Sequence, residues 1–597
     1  MIVLGCNGFT RVSAVFAEHF GAVGTDRHYL LGHDAGAALL VDGRLVAAVE
    51  EERLNREKKT TAFPINSVTW CLDQAGVQFS DIDLIAIPWN FSAEVLDRMV
   101  QDITAAPMPA SAKMALLDSI GTLFTEVVSH EAILADFAAR TGFTPDPDKV
   151  EFVPHHLAHA MTGYYLSGMK DSAFLISDGR AEVFSSLMGE IRDGRIRVFD
   201  ESTIGAEFSI GLLFGAITRF LGFVPNNDEY KVMGLSGYAE PPSPNPFVEH
   251  FVHLHEDGRY TFDRPLQTDN PRSLEPLFEE YFGPAQDTVA YKSRVAAAAQ
   301  EMLAVVTNHQ LRALEAKSDL NHLLFEGGVA LNCLNNTPLF EGSRFDDMDV
   351  SFGASDTGIV VGAAVRAWLD HDAAEAKLAP HVTPYLGPEF DDATIEQALR
   401  EFGDRVGWTR LIEAEIIDQV SKLLTEKVVI GWFEGRLEHG PRALGHRSIL
   451  ANPTFPDIKD VINTRVKHRE PFRPFAPLVL EADASKVFEM GRKTRSPYMT
   501  FVFPVRPEFH DVIPGATHVD GTSRVQTITD RDTPRLAELL RRFTALTDVP
   551  CLINTSFNVA GEPIVCTPAD ALNCFLGTEI DYLVLGNHLV TKATPAV

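Results

Sequence analysis

The chain has 597 residues, 45% hydrophobic and 22% charged, the composition of a globular protein with two or three domains. Its 52 Lys and Arg face 82 Asp and Glu, a formal charge of −30. That balance argues against general binding to nucleic acid or to an anionic membrane surface, and it makes any cationic cluster a local feature. The six cysteines (Cys6, Cys71, Cys333, Cys551, Cys566 and Cys574) form no CxxC pair, so a reduced, cytoplasmic chain is expected. No run of about 18 apolar residues predicts a membrane span.

The first residues, MIVLGCNGF, read as a strand rather than a basic leader. His33-Asp34 opens an apolar run to Val41, then Asp42-Gly43-Arg44, then a second run to Val49. Asp178-Gly179, Val183 to Ile191, Asp193-Gly194-Arg195 and Ile196 to Phe199 repeat that pattern. Each predicts a strand, an Asp-Gly turn and a strand. The pair reads either as a duplicated unit, with an Asp at each mouth, or as two unrelated hairpins. Between the copies, Asn66 to Ala75 predicts an amphipathic helix. Beyond the second copy, Tyr291 to Ala316 predicts a long helix. Leu323 to Val329 is apolar and contains Gly327-Gly328, followed by Asn332. Ser351 to Trp368 runs from a short strand through Asp356-Thr357-Gly358 into a helix. The Pro-rich shift near Leu369 to Pro388 predicts a linker over residues 373–388, which divides the chain into 1–372 and 389–597. Past it, Ile416 to Leu424 predicts a helix and Val428 to Phe433 a buried strand, so an α/β pattern restarts.

Chemistry concentrates in a few places. In Val153-Pro154-His155-His156-Leu157-Ala158-His159, Pro154 suits a helix start. His155 and His159 then share one helix face and can chelate one transition metal; a core histidine pair reads the same spacing without a metal. Asp178 and Asp356, each where a strand meets a Gly-containing turn, could complete a His₂-carboxylate set suited to Fe(II), Mn(II) or Zn(II). Gly327-Gly328 lets backbone approach a phosphate or an adenosine, or simply lets a helix pack on a strand. Lys231 could meet phosphate or form a surface ion pair. From Arg436 to Phe475 there are eight cations against four acids, set among Gly, Pro, His and Phe rather than at helical spacing. An anion pocket accounts for them better than a charged helix face. Arg524 and the turn Asn554-Thr555-Ser556-Phe557-Asn558 add further phosphate-friendly groups, or an ordinary Asx or ST turn.

Read together, HDAGAALLVDGRLVAAVEEERLNR, VPHHLAHA, DEYKVMGL, GGVALN, ASDTG, GPRALGHRSILANP, REPFRPFAP, HVDGTSRVQ and NTSFN resemble the natural-product O-carbamoyltransferases, related to the nodulation carbamoyltransferases, nearly end to end. The resemblance implies an α/β (α+β) chain: an actin-like ATPase (Kae1-like) domain, then a YrdC-like α/β domain. It implies that carbamoyl phosphate and ATP, with Mg2+, form a carbamoyl-adenylate, and that a small-molecule acceptor hydroxyl then takes the carbamoyl group in antibiotic or secondary-metabolite biosynthesis. By it His155, His159, Asp178 and Asp356 bind Fe(II) or another divalent metal, and His33 is the general base. Lys58 and Lys231 meet phosphate or the adenylate, and Gly327, Gly328 and Asn332 line its adenosine. Arg436, Arg469, Arg524, Asn554 and Ser556 bind carbamoyl phosphate and ATP. Two departures stand out. Glu326 precedes the Gly pair where a small residue is usual, and places a carboxylate beside the adenylate. The segment Phe9 to Leu31 is long and apolar (Phe9, Val12, Val15, Phe16, Phe20, Val23, Tyr29, Leu30), which predicts an apolar acceptor such as a polyketide macrolide or ansamycin. A tRNA threonylcarbamoyl-transfer enzyme and a non-catalytic metal-binding scaffold are the alternatives, and the charge of −30 opposes the first.

Overall fold

The structure is a computed structural model describing residues 1–20, 31–105, 109–266, 273–371 and 381–593. It is mixed α/β and divides into two compact units, Met1–Val382 and Thr383–Val597. Part of the expected linker, residues 373–380, lies outside the described residues.

The first unit is built twice from one plan. Its first sheet has the order β3-β2-β1-β4-β5, with β1 (Ile2–Asn7), β2 (Gly36–Val41), β3 (Arg44–Glu50), β4 (Leu84–Ile87) and β5 (Val150–Phe152). Strands β1, β2 and β3 are antiparallel neighbours, whereas β4 and β5 join parallel to β1. The second sheet repeats the order with β6 (Asp171–Ser177), β7 (Phe184–Arg192) and β8 (Arg195–Val198) as the meander and β12 (His322–Glu326) and β13 (Asp347–Asp349) as the parallel pair. The short β9 (Ile204–Gly205) pairs with β7, and β10 (Val252–Leu254) and β11 (Tyr260–Phe262) form a separate hairpin. This duplication is the plan of actin-like ATPases, and the paired hairpins seen in the sequence are its two meanders. Their turns explain the signal. Asp42 and Gly43 have φ of 49° and 73°, Asp193 and Gly194 47° and 76°, so both turns need two left-handed residues in succession. The two Asp mouths are not equivalent: Asp34 precedes β2, whereas Asp178 follows β6.

A helix follows the fifth strand of each sheet, and each packs on the sheet of the other half. His155–Ser167 lies on β6 and β12, Ile359–His371 on β1, β2 and β4, and the two helices cross in close contact. Small residues permit the crossing. A Cβ on Gly362 would stand 1.8 Å from the Ala158 carbonyl oxygen; where Ile359–His371 lies on β1, one on Gly5 would stand 2.0 Å from that of Val360. Both helices begin at the same place, so two helix N-termini and the mouths of two sheets converge there.

The second unit is an eight-stranded mixed sheet with the order β14-β23-β22-β15-β16-β21-β17-β20. Its strands are β14 (Val406–Arg410), β15 (Val429–Phe433), β16 (Arg447–Ala451), β17 (Ala476–Leu480), β20 (Gln526–Ile528), β21 (Cys551–Ser556), β22 (Tyr582–Leu585) and β23 (His588–Lys592), and β18 (Phe503–Pro504) pairs apart with β19 (Thr522–Ser523). The predicted helix at 416–424 is Glu413–Leu423, and Val429–Phe433 is buried along its whole length, as its apolar run implies.

Candidate functional site

Pro154 precedes the helix whose first residue is His155, so His155 and His159 sit one turn apart on one face. Glu182, arriving from the second half, accepts hydrogen bonds from the backbone N–H of His155 (3.1 Å) and of Asn90 (2.8 Å) and so pins the helix start. Trp89 stacks on the His155 ring with centroids 4.0 Å apart. Its indole N–H donates to Asn7 Oδ1 (3.0 Å), and Asn7 Nδ2 donates to the His33 carbonyl (3.1 Å). One polar chain thus couples the His155 ring to the backbone of His33.

Asp178 stands at the end of β6 and Asp356 in the turn before the second crossing helix. With His155 and His159 they form a buried group whose ligand atoms all lie within 4.8 Å of one another. The His155 Nε2 is 3.4 Å from Asp178 Oδ2 and 3.6 Å from Asp356 Oδ1; the His159 Nε2 is 3.9 Å and 3.5 Å from the same atoms. These separations are long for hydrogen bonds. They match ligands sharing one ion at about 2.1 Å each, which stand roughly 3–4 Å apart. No ring nitrogen of either histidine has a hydrogen-bond partner among the described residues, although all are buried. Buried orphaned nitrogens facing two carboxylates fit a divalent transition metal. Without the ion, burial opposes charge on His155, but Asp356 and Asp178 outweigh it and push the imidazole up to about 10. Burial would raise the Asp178 and Asp356 carboxyls, yet the histidines hold both below the usual carboxylate range. Metal uptake therefore displaces protons.

His33 adjoins this group. Its Nε2 is 3.5 Å from Asp356 Oδ2 and its Nδ1 2.9 Å from Asp34 Oδ2. Burial opposes its protonation, but Asp356 and Asp34 raise its pKa overall. Gly327 has φ 93°, and a Cβ there would stand 2.3 Å from the Ser177 carbonyl oxygen. The turn it makes brings the Gly328 N–H to Asp178 Oδ1 at 2.8 Å, so the Gly pair positions a metal ligand.

Several expected residues are placed otherwise. Lys58 is half-buried in a turn, and its neighbour Lys59 lies 2.9 Å from Asp34 Oδ2. Lys231 is paired with Asp228 at 2.9 Å. Asn332 caps the helix Cys333–Glu341 and exchanges hydrogen bonds with Gln300. The Glu326 carboxylate faces away from the Gly pair: it accepts from Ser351 N–H (3.0 Å) and Ser351 Oγ (2.9 Å), and burial pushes it well above its ordinary range. Phe9, Val12 and Val15 pack into the unit's own core, Phe9 against Trp89. That packing removes their argument for an apolar acceptor; Val23, Tyr29 and Leu30 lie outside the described residues.

In the second unit several cations of the stretch contact the protein's own backbone. Arg447 is fully buried over Phe433 and donates to the carbonyls of Glu434, Pro388, Gly435 and His446. Lys467 donates to both the carbonyl and side-chain oxygens of Ser556 and Asn558; the turn expected from Asn554 begins only after Ser556, because Asn554 to Ser556 are the last residues of β21, paired with β16. Arg436 donates to the carbonyls of Leu386 and Gly387. Arg469 lies over Phe475 and donates to Asn463 at 2.6 Å. Arg524 is half-buried. Burial, opposed by Asp520 and aided by Arg524 and Lys459, brings neighbouring His518 down to about 4. Asn554 donates to Gln526 Oε1 (2.6 Å), and its own Oδ1 is buried with no hydrogen-bond partner among the described residues. Sequence reading gave no site role to Asp34, Lys59, Glu182 or Gln526. Asp34 carried a signal, as the acid directly after His33.

Both regions fall within matches to known proteins. The family description "Carbamoyltransferase N-terminus" matches residues 23–365 and "Carbamoyltransferase C-terminus" matches residues 421–592. Nodulation protein NolNO of Sinorhizobium fredii is 37% identical over 573 residues, covering 94% of this chain and 79% of that protein. Nodulation protein NolO of Bradyrhizobium diazoefficiens is 36% identical over 442 residues, covering 73% and 78%. Among solved structures, full-length HypF in its phosphate- and nucleotide-bound form overlaps 62% of this chain and 56% of its own, at 13% identity and a TM-score of 0.33. The metal group and His33 lie within the N-terminal match, and the Arg436–Asn558 region within the C-terminal one.

Proposed function

The chain belongs to the carbamoyltransferase family, and from that premise we propose that it is an ATP-dependent O-carbamoyltransferase using carbamoyl phosphate. The observation that carries the reading is the meeting of His155, His159, Asp178 and Asp356 with His33 at one buried point. In the proposal water first releases phosphate from carbamoyl phosphate in the second, YrdC-like unit; the carbamate oxygen then bonds to the α-phosphorus of ATP, pyrophosphate leaves and carbamoyl-adenylate remains. Arg436, Arg469, Arg524, Asn554 and Ser556 surround the anions. Adenylation replaces a dianionic leaving group, which repels an incoming oxygen, with a less charged one. In the first unit His33 takes the proton of an acceptor hydroxyl, the oxygen attacks the carbamoyl carbon and AMP leaves, a contribution of about 10²–10⁴-fold from a placed base. The Gly327-Gly328 turn and Lys231 border the leaving group. A divalent ion such as Fe(II), held by the four ligands, would neutralise the two carboxylates and supply a charge sink for phosphate oxygens. The acceptor is a hydroxylated small molecule, and cytoplasmic chemistry fits the free thiols.

The test is incubation of the Fe(II)-loaded chain with ATP and carbamoyl phosphate. Pyrophosphate should appear only when both are present. A panel of hydroxylated macrolides, aminoglycosides and oligosaccharides should then reveal an acceptor by the mass gain of one carbamoyl group. Absence of pyrophosphate with both substrates present would reject the adenylate route.

A further inference from the structure

Nothing above assigns a role to the pair beside His33. We propose that Asp34 and Lys59 together are positioning residues for His33, fixing its ring so that the neutral form carries its proton on Nδ1 and turns the lone pair of Nε2 toward the metal ligands. The inference rests on the reading of His33 as the base.

The geometry is specific. One oxygen, Asp34 Oδ2, lies 2.9 Å from His33 Nδ1 and 2.9 Å from Lys59 Nζ. An ammonium can only donate, and a carboxylate only accept. Lys59 therefore keeps this oxygen an acceptor, and the one proton of neutral His33 must sit on Nδ1. The Nε2 is left 3.5 Å from Asp356 Oδ2, too far for a good hydrogen bond but on the side of the metal group. Burial alone would raise Asp34, but Lys59 and His33 hold it below the ordinary carboxylate range.

The backbone is shaped for this contact. Asp34 and Lys59 both adopt left-handed conformations with φ of 53°, uncommon for residues other than glycine. Their loops are latched together: Ala35 N–H donates to the Thr60 carbonyl (3.2 Å), and Lys59 N–H to Glu52 Oε2 (2.8 Å). Glu52 is in turn held by Arg53 at 2.7 Å. Strained backbone at two residues whose side chains meet marks a contact that the surrounding structure enforces. The proton balance follows. The acceptor O–H proton passes to Nε2, its oxygen bonds to the carbamoyl carbon, and the bond from that carbon to the AMP oxygen breaks. The doubly protonated ring is then held against the Asp34 carboxylate.

Two measurements on the full chain test the pair. In the first, the Zn(II)-loaded, ¹⁵N-histidine-labelled protein is studied by two-bond ¹H–¹⁵N correlation, with His33 identified by its loss in His33→Ala. The parent and Lys59→Arg should show the Nδ1–H form, whereas Asp34→Ala and Lys59→Met should shift His33 toward Nε2–H or a mixture. An unchanged tautomer in both Asp34→Ala and Lys59→Met overturns the inference. In the second, rapid mixing with ATP and carbamoyl phosphate uses water as the acceptor, reading first-turnover pyrophosphate and AMP. Asp34→Ala should slow AMP release by about 10²–10⁴-fold, with pyrophosphate release and metal content within about threefold of the parent. Asp34→Asn, whose carbonyl oxygen can accept from both donors, should lose no more than about tenfold. A parallel fall of pyrophosphate, AMP and metal content in Asp34→Ala would mean a merely structural role and overturn the proposal. Unchanged AMP release in His33→Ala would remove the base reading and this inference with it, a result distinct from failure of the tautomer measurement alone.

Discussion

The crossing of the two helices offers the sharpest prediction. Gly362→Ala places a methyl group where the Ala158 carbonyl oxygen already stands, 1.8 Å away. Real Cβ atoms keep at least 3.0 Å, so about 1.2 Å of separation must be created between two helix backbones. The nearest neighbour is backbone, and the next, Thr162 Oγ1 at 2.5 Å, is itself held by the Ala158 and Gly358 carbonyls at 2.9 and 2.8 Å. Overpacking of a well-filled core costs about 1–3 kcal/mol, and a clash with backbone belongs at the upper end. The same movement separates His155 and His159 on one helix from Asp356 ahead of the other. Metal sites tolerate errors of roughly 0.2 Å in ligand distance, so affinity should fall at least about tenfold. Hydrogen exchange read by peptide reports the two helices separately from the second unit, and calorimetric titration with Zn(II) reports the metal. Gly121→Ala, a helical glycine whose new Cβ would meet nothing within 4 Å, serves as the control and should be neutral or stabilising by about 1 kcal/mol. Parent-like exchange in both helices together with parent-like Zn(II) affinity in Gly362→Ala would refute the reasoning.

Other consequences follow from the same geometry. His159→Ala should abolish tight metal binding, and a chelator that lowers the melting temperature of the parent should leave this variant unmoved; at one hundred times Kd the ion contributes about 2.7 kcal/mol. Burial pushes Glu229 up to about 7, above the roughly 4.3 of an unfolded chain. The native state therefore holds the extra proton, and its stabilisation, complete below about pH 4, is lost as pH rises through 7. Glu229→Gln should flatten the decline in stability between pH 5 and 8, worth up to about 3 kcal/mol, in denaturant titrations at each pH. Glu438 Oε1 accepts from the N–H groups of Leu444 (2.8 Å), His446 (2.7 Å) and Arg447 (3.1 Å) in a buried loop. Glu438→Ala should cost the second unit about 3 kcal/mol or more and eliminate pyrophosphate release, while Zn(II) binding in the first unit persists.

Local patterns were legible where physics is local. The Asp-Gly turns announced both meanders because few other residue pairs adopt two left-handed conformations in succession. The four-residue spacing of His155 and His159 put them on one helix face, and Pro154 marked where that helix starts. Charge density was less specific, because a cation count does not say what each cation touches: Arg447 and Lys467 donate to carbonyls of the protein's own chain. The apolar residues Phe9, Val12 and Val15 misled, since hydrophobicity marks burial without saying whether protein or ligand does the burying.

The sequence by itself therefore determined many of the elements, two hairpins of one pattern and the kinds of ligand available, because turn chemistry, helical spacing and donor type are properties of short segments. Only the tertiary structure decided which of them meet. Asp178 and Asp356 are 178 residues apart, and they face one histidine pair because two crossing helices approach through glycines. It also decided that Lys59 meets Asp34 at 2.9 Å, two residues 25 apart in the chain that both adopt left-handed conformations.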